Sequence, residues 1–588
     1  MKRLILMLVV MSAALSSCKD MLEPAQDNNR NLEDTHNDAN FAQGILLNGY
    51  NRIPTNNWSF NDVATDDAVS NDNANAFSKV ATGQWTANNN PLEEWRNSKA
   101  AIQYLNIMLK ESDKVVWTKD PNVSRMFNDR MKGEAYGLRA LFMFHLLQAH
   151  AGLAQGSTLL GVPIVLEPEG TESDYNKPRA TFDACMQQLY NDAAEAEKLL
   201  PLDYEDIASN AQVPSKYANT SKDDYNRVFG TFARLRVTSR IVKAVRAKAA
   251  LLAASPAFNL TNDAAKWTAA ANYAAEVLNL NRGLEGLAAN GVTWYNNTAE
   301  INGLGEGVNP PEVLWRGNIG NNRDLEQAHF PPTLFGNGRL NPSQNLVDAF
   351  PMVNGYPISD GTASGYNQAD PYANRDPRLR QFILVNGSTA GVNSTIINTS
   401  ANSPTNDGLN KVGTSTRTGY YMRKLLRQDV SNNSTSPNPQ KHYKPHIRYT
   451  EMYLVYAEAA NEAFGPTGRA GTASYSAYDV IRAIRRRAGV GLTNGDPYLQ
   501  AVSASKDQMR TLIRNERRLE LCFEGFRFWD LRRWKENLNE AARGVSITNT
   551  TYQPITVENR VYAAHMFYGP IPYGEILKFN ALVQNQGW

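Results

Sequence analysis

RNERRLELCFEGFRFWDLRRW, residues 514–534, sets aromatics among charges more densely than a solvent-facing helix tolerates. Leu519, Leu521, Cys522, Phe523, Phe526, Phe528, Trp529, Leu531 and Trp534 are interleaved with Glu516, Arg517, Arg518, Glu520, Glu524, Arg527, Asp530, Arg532 and Arg533. An amphipathic helix keeps one face for water. Here several charges must lie against apolar surface, which is tolerable only when they are paired, and Arg supplies planar, bidentate pairs. Gly525 breaks the period, so the stretch reads as two short helices meeting at a bend. A clasp that ties the C-terminal region to the body of the protein explains this pattern better than a catalytic site does.

On either side the helical period of about 3.6 recurs. Upstream, Met452, Val455, Tyr456, Ala459 and Ala463 form one stripe, and Ala477, Val480, Ile481, Ile484 and Ala488 form the next. Further toward the N-terminus a first helix is expected over residues 40–52. Trp95, Ile102, Leu105 and Leu109 mark a second, and Ala135, Leu138, Phe142, Leu146 and Ala149 a third. Thr181 can cap the stripe Phe182, Cys185, Met186, Leu189, Ala193, Ala196 and Leu200, which Pro201 stops. Another helix spans about 238–254, and Asn262 can cap one carrying Trp267, Ala271, Ala274, Ala275 and Leu278. Large aromatics alternating with Ala let helices approach closely, as in tetratricopeptide-like pairs. Residues 54–91 and 283–445 lose the period and are rich in Gly, Asn, Pro and Ser. They read as long loops, the second carrying short apolar runs at 312–316 and 381–385.

The order of the motifs resembles that of the SusD/RagB proteins, the surface nutrient-binding lipoproteins of Bacteroidetes-type bacteria. The 514–534 stretch is similar to the family's C-terminal signature. RYTEMYLVYAEAANEA (448–463), AYDVIRAIRRRAGV (477–490) and GPIPYGEILKFNALVQNQGW (569–588) match it in the same order, and KAALLAASPAFN (248–259) is also similar. The resemblance implies a mainly α, SusD-like fold: a tetratricopeptide-like helix-pair scaffold at 38–282 and 446–588 with a large loop-rich insertion at 283–445, together one domain over 38–588. It covers the scaffold and leaves the loops that would select a ligand unmatched.

Lys2 and Arg3 precede an apolar run over 4–15, the length of a signal peptide and short of the roughly twenty residues that span a bilayer. Residues 1–17 therefore read as a signal peptide. Leu15-Ser16-Ser17-Cys18 resembles a lipobox that would make Cys18 the acylated N-terminus, with residues 18–37 as a polar, lipidated tether. The acidic Asp20 matches what the family resemblance implies for surface exposure at the outer membrane. The formal charge of +2 falls to about zero without Lys2 and Arg3, so nothing electrostatic favours nucleic acid as a partner. Cys185 and Cys522 read as buried thiols.

No catalytic or metal-binding spacing stands out. The His residues show no H-E-x-x-H pattern, and neither G-x-S-x-G nor G-x-x-x-x-G-K-[ST] occurs. Gly303, Gly305 and Gly307 lack a preceding strand and read as a turn. The run containing Asn71, Asp72, Asn73 and Asn75 lacks the Gly and distal Glu of a calcium loop. Arg485, Arg486 and Arg487 read as solvated or ion-paired. No cofactor, metal or catalytic residue is expected. What remains is a set of loop aromatics beside amides and a guanidinium: Trp58, Trp85, Trp294, Tyr295, Trp315 and Arg316. A flat ring stacks on the C–H face of a sugar while polar neighbours reach its hydroxyls. Singly, each aromatic could instead plug the loop layer against the helices.

The expectation is a surface lipoprotein that is not an enzyme, binding an oligosaccharide from a polysaccharide. The resemblance implies delivery to a SusC-like TonB-dependent transporter in the outer membrane. Peptide uptake in the manner of RagB is the nearest alternative. A glycoside hydrolase, needing two carboxylates about 5 to 9 Å apart, and a helical-repeat interaction scaffold are the alternatives of other classes.

Overall fold

The computed structural model describes residues 31–588. The signal peptide and Cys18 lie outside the described residues, as does most of the proposed tether. Its last part is docked rather than free: Leu32–His36 forms a helical turn that buries Thr35, and His36 Nε2 meets Glu111 Oε2 at 2.8 Å.

The periods in the sequence become α1 (Ala39–Asn51), α2 (Trp95–Glu111), α3 (Pro121–His150), α4 (Phe182–Leu199), α5 (Ser239–Ala254), α6 (Ala264–Leu280), α7 (Tyr449–Phe464), α8 (Ala477–Arg487), α9 (Lys506–Glu520) and α10 (Arg527–Trp534). Short polar side chains take orphan amides at many of the starts, among them Asp38, Asp120, Thr181, Thr238, Ser476 and Ser505. Asp263 caps α6 in place of Asn262, because Asn259 Oδ1 accepts the Asp263 amide at 2.8 Å and holds that turn closed. Each helix from α1 to α7 packs on the next, giving the mainly α, tetratricopeptide-like array. Close approach depends on small residues. A Cβ at Gly137 of α3 would stand 2.7 Å from Val237 Cγ1 and 2.9 Å from Val242 Cγ2. A buried pair fixes the register: Arg139 on α3 holds Asp192 of α4 through two bonds of 2.8 and 2.6 Å and Asn106 of α2 at 2.8 Å.

Residues 283–445 are not structureless. They fold about a second core containing Trp294, Tyr295, Phe330, Leu346, Phe382 and Tyr420. Short strands stitch it together: β1 (Ala68–Ser70), β2 (Val313–Arg316), β3 (Leu340–Pro342), β4 (Pro445–Arg448), β5 (Ala542–Thr548) and β6 (Thr551–Glu558). β1 runs antiparallel to β3, with Ala68 opposite Pro342, so the early loops belong to this lobe. β2 pairs with β4, which leads straight into α7. The β5–β6 hairpin had no clear signal in the sequence; its Val545 and Ile547 join the second core.

The 514–534 stretch connects the cores. Leu521 lies in the scaffold core, Leu519, Cys522 and Phe523 in the second, and Phe528 and Leu531 in a third beside Trp85 and Tyr562. The bend falls where the sequence placed it. Gly525 has φ +82, and a Cβ there would lie 2.6 Å from Ser59 Oγ. The interleaved charges are paired across the molecule. Glu516 accepts from Arg378 at 2.9 Å and Arg485 at 2.8 Å, while Glu520 takes Arg378 and Arg487 at 3.0 Å each. Arg518 and Arg527 grip Asp66 of the early loops at 2.8 and 3.0 Å. Asp530 bridges Arg517 and Arg533, and Arg533 reaches Glu458 of α7. Those guanidiniums hold the Glu458 carboxyl down at about 2, and Arg487 and Arg378 do the same for Glu520. The clasp is thus built of buried, matched ion pairs. Arg485 and Arg487 belong to it.

Candidate functional site

A cleft of about 170 Å³ opens beside the bend, where the early loops, the scaffold helices and the clasp meet. The turn at residues 54–59 supplies Thr55, Asn57 and Trp58, α3 supplies Phe144, His145 and Gln148, and α5 supplies Lys248, Leu251 and Leu252. β4 brings His446 and Arg448, and the bend brings Phe526 and Trp529. Trp58 is half-buried, stacked 6.1 Å from Phe60, with Lys444 Nζ 5.0 Å over its ring. Lys444 also donates to the carbonyls of Thr55, at 2.7 Å, and Asn57, which holds the Trp58 turn against β4.

The electrostatics are those of a partly desolvated polar site. Burial pushes the Lys444 ammonium down to about 7 against the pull of Glu524. Burial, with nearby Lys residues adding to it, holds His145 and His446 neutral at about 3. Three cleft carboxylates already have cations: Glu451 meets Lys248 at 2.9 Å, Glu524 meets Arg448 at 2.7 Å, and Asp530 is held by Arg517 and Arg533. Glu94, at the start of α2, has no such partner; burial and neighbouring Glu93 push its carboxyl up to about 8, so it stays protonated at neutral pH. The lining therefore offers aromatic faces, amides, hydroxyls and an uncharged carboxyl.

Of the six expected ligand residues only Trp58 faces this cleft. The other five are buried, in the plugging role that was the alternative for each aromatic singly, which leaves Trp58 as the one of the expected set at this cleft. Trp85 is enclosed by Phe528, Tyr562 and Trp588 and donates to Asn90 Oδ1 at 2.9 Å. Trp294 and Tyr295 pack edge to face inside the second core, and the Tyr295 hydroxyl donates to the Gln381 carbonyl at 3.2 Å. Trp315 donates to the Leu235 carbonyl at 2.8 Å and borders a separate groove by an edge, with 1% of its surface exposed. Arg316 is spent on the carbonyls of Val308 and Gly317 at 2.8 and 2.9 Å. The physical reason is that aperiodic segments feed cores as helices do: Trp294 and Tyr295 fill the second core, Trp85 the third, and Trp315 joins the scaffold core. Sequence reasoning missed Phe77, Lys444, Glu94 and Gln148. It placed Phe526 and Trp529 in the clasp without seeing that the bend turns them toward the cleft. Among the described residues no three or more His, Cys, Asp or Glu gather as a metal site, and no helix is long and apolar enough to cross a membrane.

The architecture is thus a paired-helix scaffold carrying a loop lobe, with an aromatic and polar cleft at their junction. The chain belongs to the SusD/RagB family. The SusD family model matches residues 311–588, and a second model, described as starch-binding associating with outer membrane, matches residues 22–228. SusD-like protein P38 of Formosa agariphila is 36% identical over 86 residues, 14% of this chain and 16% of that protein, so the match spans a small part of the relative's length. A SusD-like protein from Bacteroides fragilis NCTC 9343 superposes with a TM-score of 0.71 at 20% identity, covering 96% of this chain and all of the other. A SusD-like carbohydrate binding protein from the same strain gives 0.66 at 20% identity over 93% and 99%. A laminarin binding SusD-like protein gives 0.54 at 18% identity over 93% and 99%.

Proposed function

We propose that this protein is a cell-surface lipoprotein, anchored to the outer membrane at Cys18, that captures an oligosaccharide released from a polysaccharide. It holds the sugar without cleaving it and passes it to a SusC-like TonB-dependent transporter. The observation that carries the binding step is the junction cleft. Trp58, Phe77 and Trp529 offer apolar faces there beside the polar groups of Asn57, Thr55 and Gln148. An amphipathic sugar ring has the matching chemistry. The carboxylates support binding without turnover. Hydrolysis needs an acid and a second carboxylate free to act as base or nucleophile, whereas Glu451, Glu524 and Asp530 are ion-paired and Glu94 stands alone. The family descriptions and the carbohydrate-binding relatives support the ligand class. Purified protein lacking residues 1–18 is expected to bind glycans on a mixed glycan and peptide array and to return a bound oligosaccharide at its original length. Binding to peptides alone, or release of new reducing ends, would overturn this reading.

A further inference from the structure

A second cavity, of about 380 Å³, lies in the insertion lobe and shares no lining residue with the junction cleft. Its walls are the turn at Phe335, the segment at Val392 and Asn393, and the loop carrying Asn432, Asn433 and Asn438. Ser431 and Asn438 close that loop through two backbone bonds of 3.2 and 3.0 Å, which fixes Asn432 at the cavity.

Asn432 is 8% exposed, and neither its Oδ1 nor its Nδ2 has a hydrogen-bond partner. Its backbone carbonyl accepts from Arg323 Nη1 at 3.5 Å, so only the side-chain amide is unmatched. Buried amides are nearly always satisfied, and one left with both a donor and an acceptor open beside a cavity marks the place of an absent partner. At the rim Phe335 is 61% exposed and Val392 51%. No ionisable side chain lines the cavity; its polar groups are hydroxyls and amides. An anion or cation entering it would lose water with no counter-charge to replace it. A neutral ligand that offers hydroxyls on one side and C–H surface on the other meets every feature of the lining.

We propose that this cavity is a second binding site for a neutral sugar, in which the Asn432 amide engages adjacent hydroxyls and the Phe335 ring stacks on the sugar's C–H face. The site stands on its own residues and does not depend on the junction cleft. Both sites can be separated on one array of neutral, uronate-bearing and sulfated oligosaccharides. Neutral-glycan binding is expected to survive Trp58→Ala, which weakens the cleft, and to fall at least tenfold when Phe335→Ala or Asn432→Leu is added. Phe335 is exposed, so its substitution leaves the fold intact. Asn432→Leu removes an unmatched buried amide and is expected to melt no lower than the parent, a result that a purely structural role for Asn432 would reverse. The proposal is overturned if the added substitutions leave neutral-glycan binding unchanged, if no neutral glycan binds in the Trp58→Ala background, or if that background binds only charged glycans or peptides. Loss of binding through Trp58→Ala alone would instead locate all recognition in the cleft.

Discussion

At the residue scale, Trp58 and Glu94 make opposite demands on the junction cleft. Stacking residues dominate the binding energy of small polar ligands, so Trp58→Ala is expected to weaken oligosaccharide binding at the cleft by about 2 kcal/mol, roughly thirtyfold, without unfolding. Titration calorimetry with the best array ligand, in a Phe335→Ala background that removes the second cavity's contribution, measures it, and unchanged affinity there removes Trp58 from the site. Glu94 is read through pH instead. Its folded pKa of about 8 lies above the usual carboxylate value, so its protonated form favours the folded state. That stability is complete below the unfolded pKa and is lost as pH rises toward 8. Wild type should therefore lose stability relative to Glu94→Gln between about pH 5 and pH 8. Parallel denaturation curves at pH 5, 7 and 9 decide it, and a difference that stays flat would place Glu94 in ordinary solvent. Neither Glu94 nor Lys444 was legible beforehand, because a lone charged residue next to a loop carries no period or spacing. Their pKa values are set by what folds over them.

At the scale of elements, the clasp was the most legible part of the chain. Its density of charge among aromatics required burial with pairing, and the two helices, the bend at Gly525 and the matched ions all follow from that. The scaffold helices were legible for a related reason: their stripes alternate Ala with large side chains at a fixed period. The insertion lobe was not. The strands within residues 283–445 are two to four residues long, and several gain their register from distant partners, as β3 does from β1, which no local pattern records. The same lack of local signal hid which loop aromatics were core: Trp294 and Tyr295 lie in the second core, Trp85 in the third and Trp315 in the scaffold core. The clasp also sets a stability prediction. Glu516 is fully buried between Arg378 and Arg485, so Glu516→Ala leaves two guanidiniums short of a partner. A loss of about 3–5 kcal/mol in chemical denaturation is expected. Lys198, 72% exposed and 3.5 Å from the 48% exposed Glu195, serves as the control, and Lys198→Ala should cost under about 1 kcal/mol. Equal effects at the two positions would mean that the buried network contributes no more than surface charge.

For the whole molecule, the proposal turns on what receives the sugar. No helix of the described residues can cross a membrane, and a protein held by a lipidated Cys18 could move only as far as its tether allows. Under the proposal, passage across the membrane falls to a second protein, which the family resemblance implies is a SusC-like barrel with this chain above its mouth. The near-neutral charge of residues 19–588 rules against long-range electrostatic capture as the force that holds the two together. A durable contact would have to be broad and shape-matched, of the size found in permanent assemblies, drawing on the helical face and the loop lobe together. Such a contact should survive salt that dissolves a charge-driven encounter, because screening acts on exposed charges and not on buried apolar area. Affinity purification of the full-length protein from detergent-solubilised membranes is expected to bring down a much larger barrel protein, with the yield unchanged between 0.1 and about 1 M salt. Cys18→Ala should shift the protein out of the membrane fraction and lower that yield, since anchoring concentrates the pair in one plane. Recovery of the lipoprotein alone, under conditions that keep outer-membrane barrels folded, would instead make it an independent surface receptor. The cleft would then release its sugar to the medium rather than to a partner beneath it.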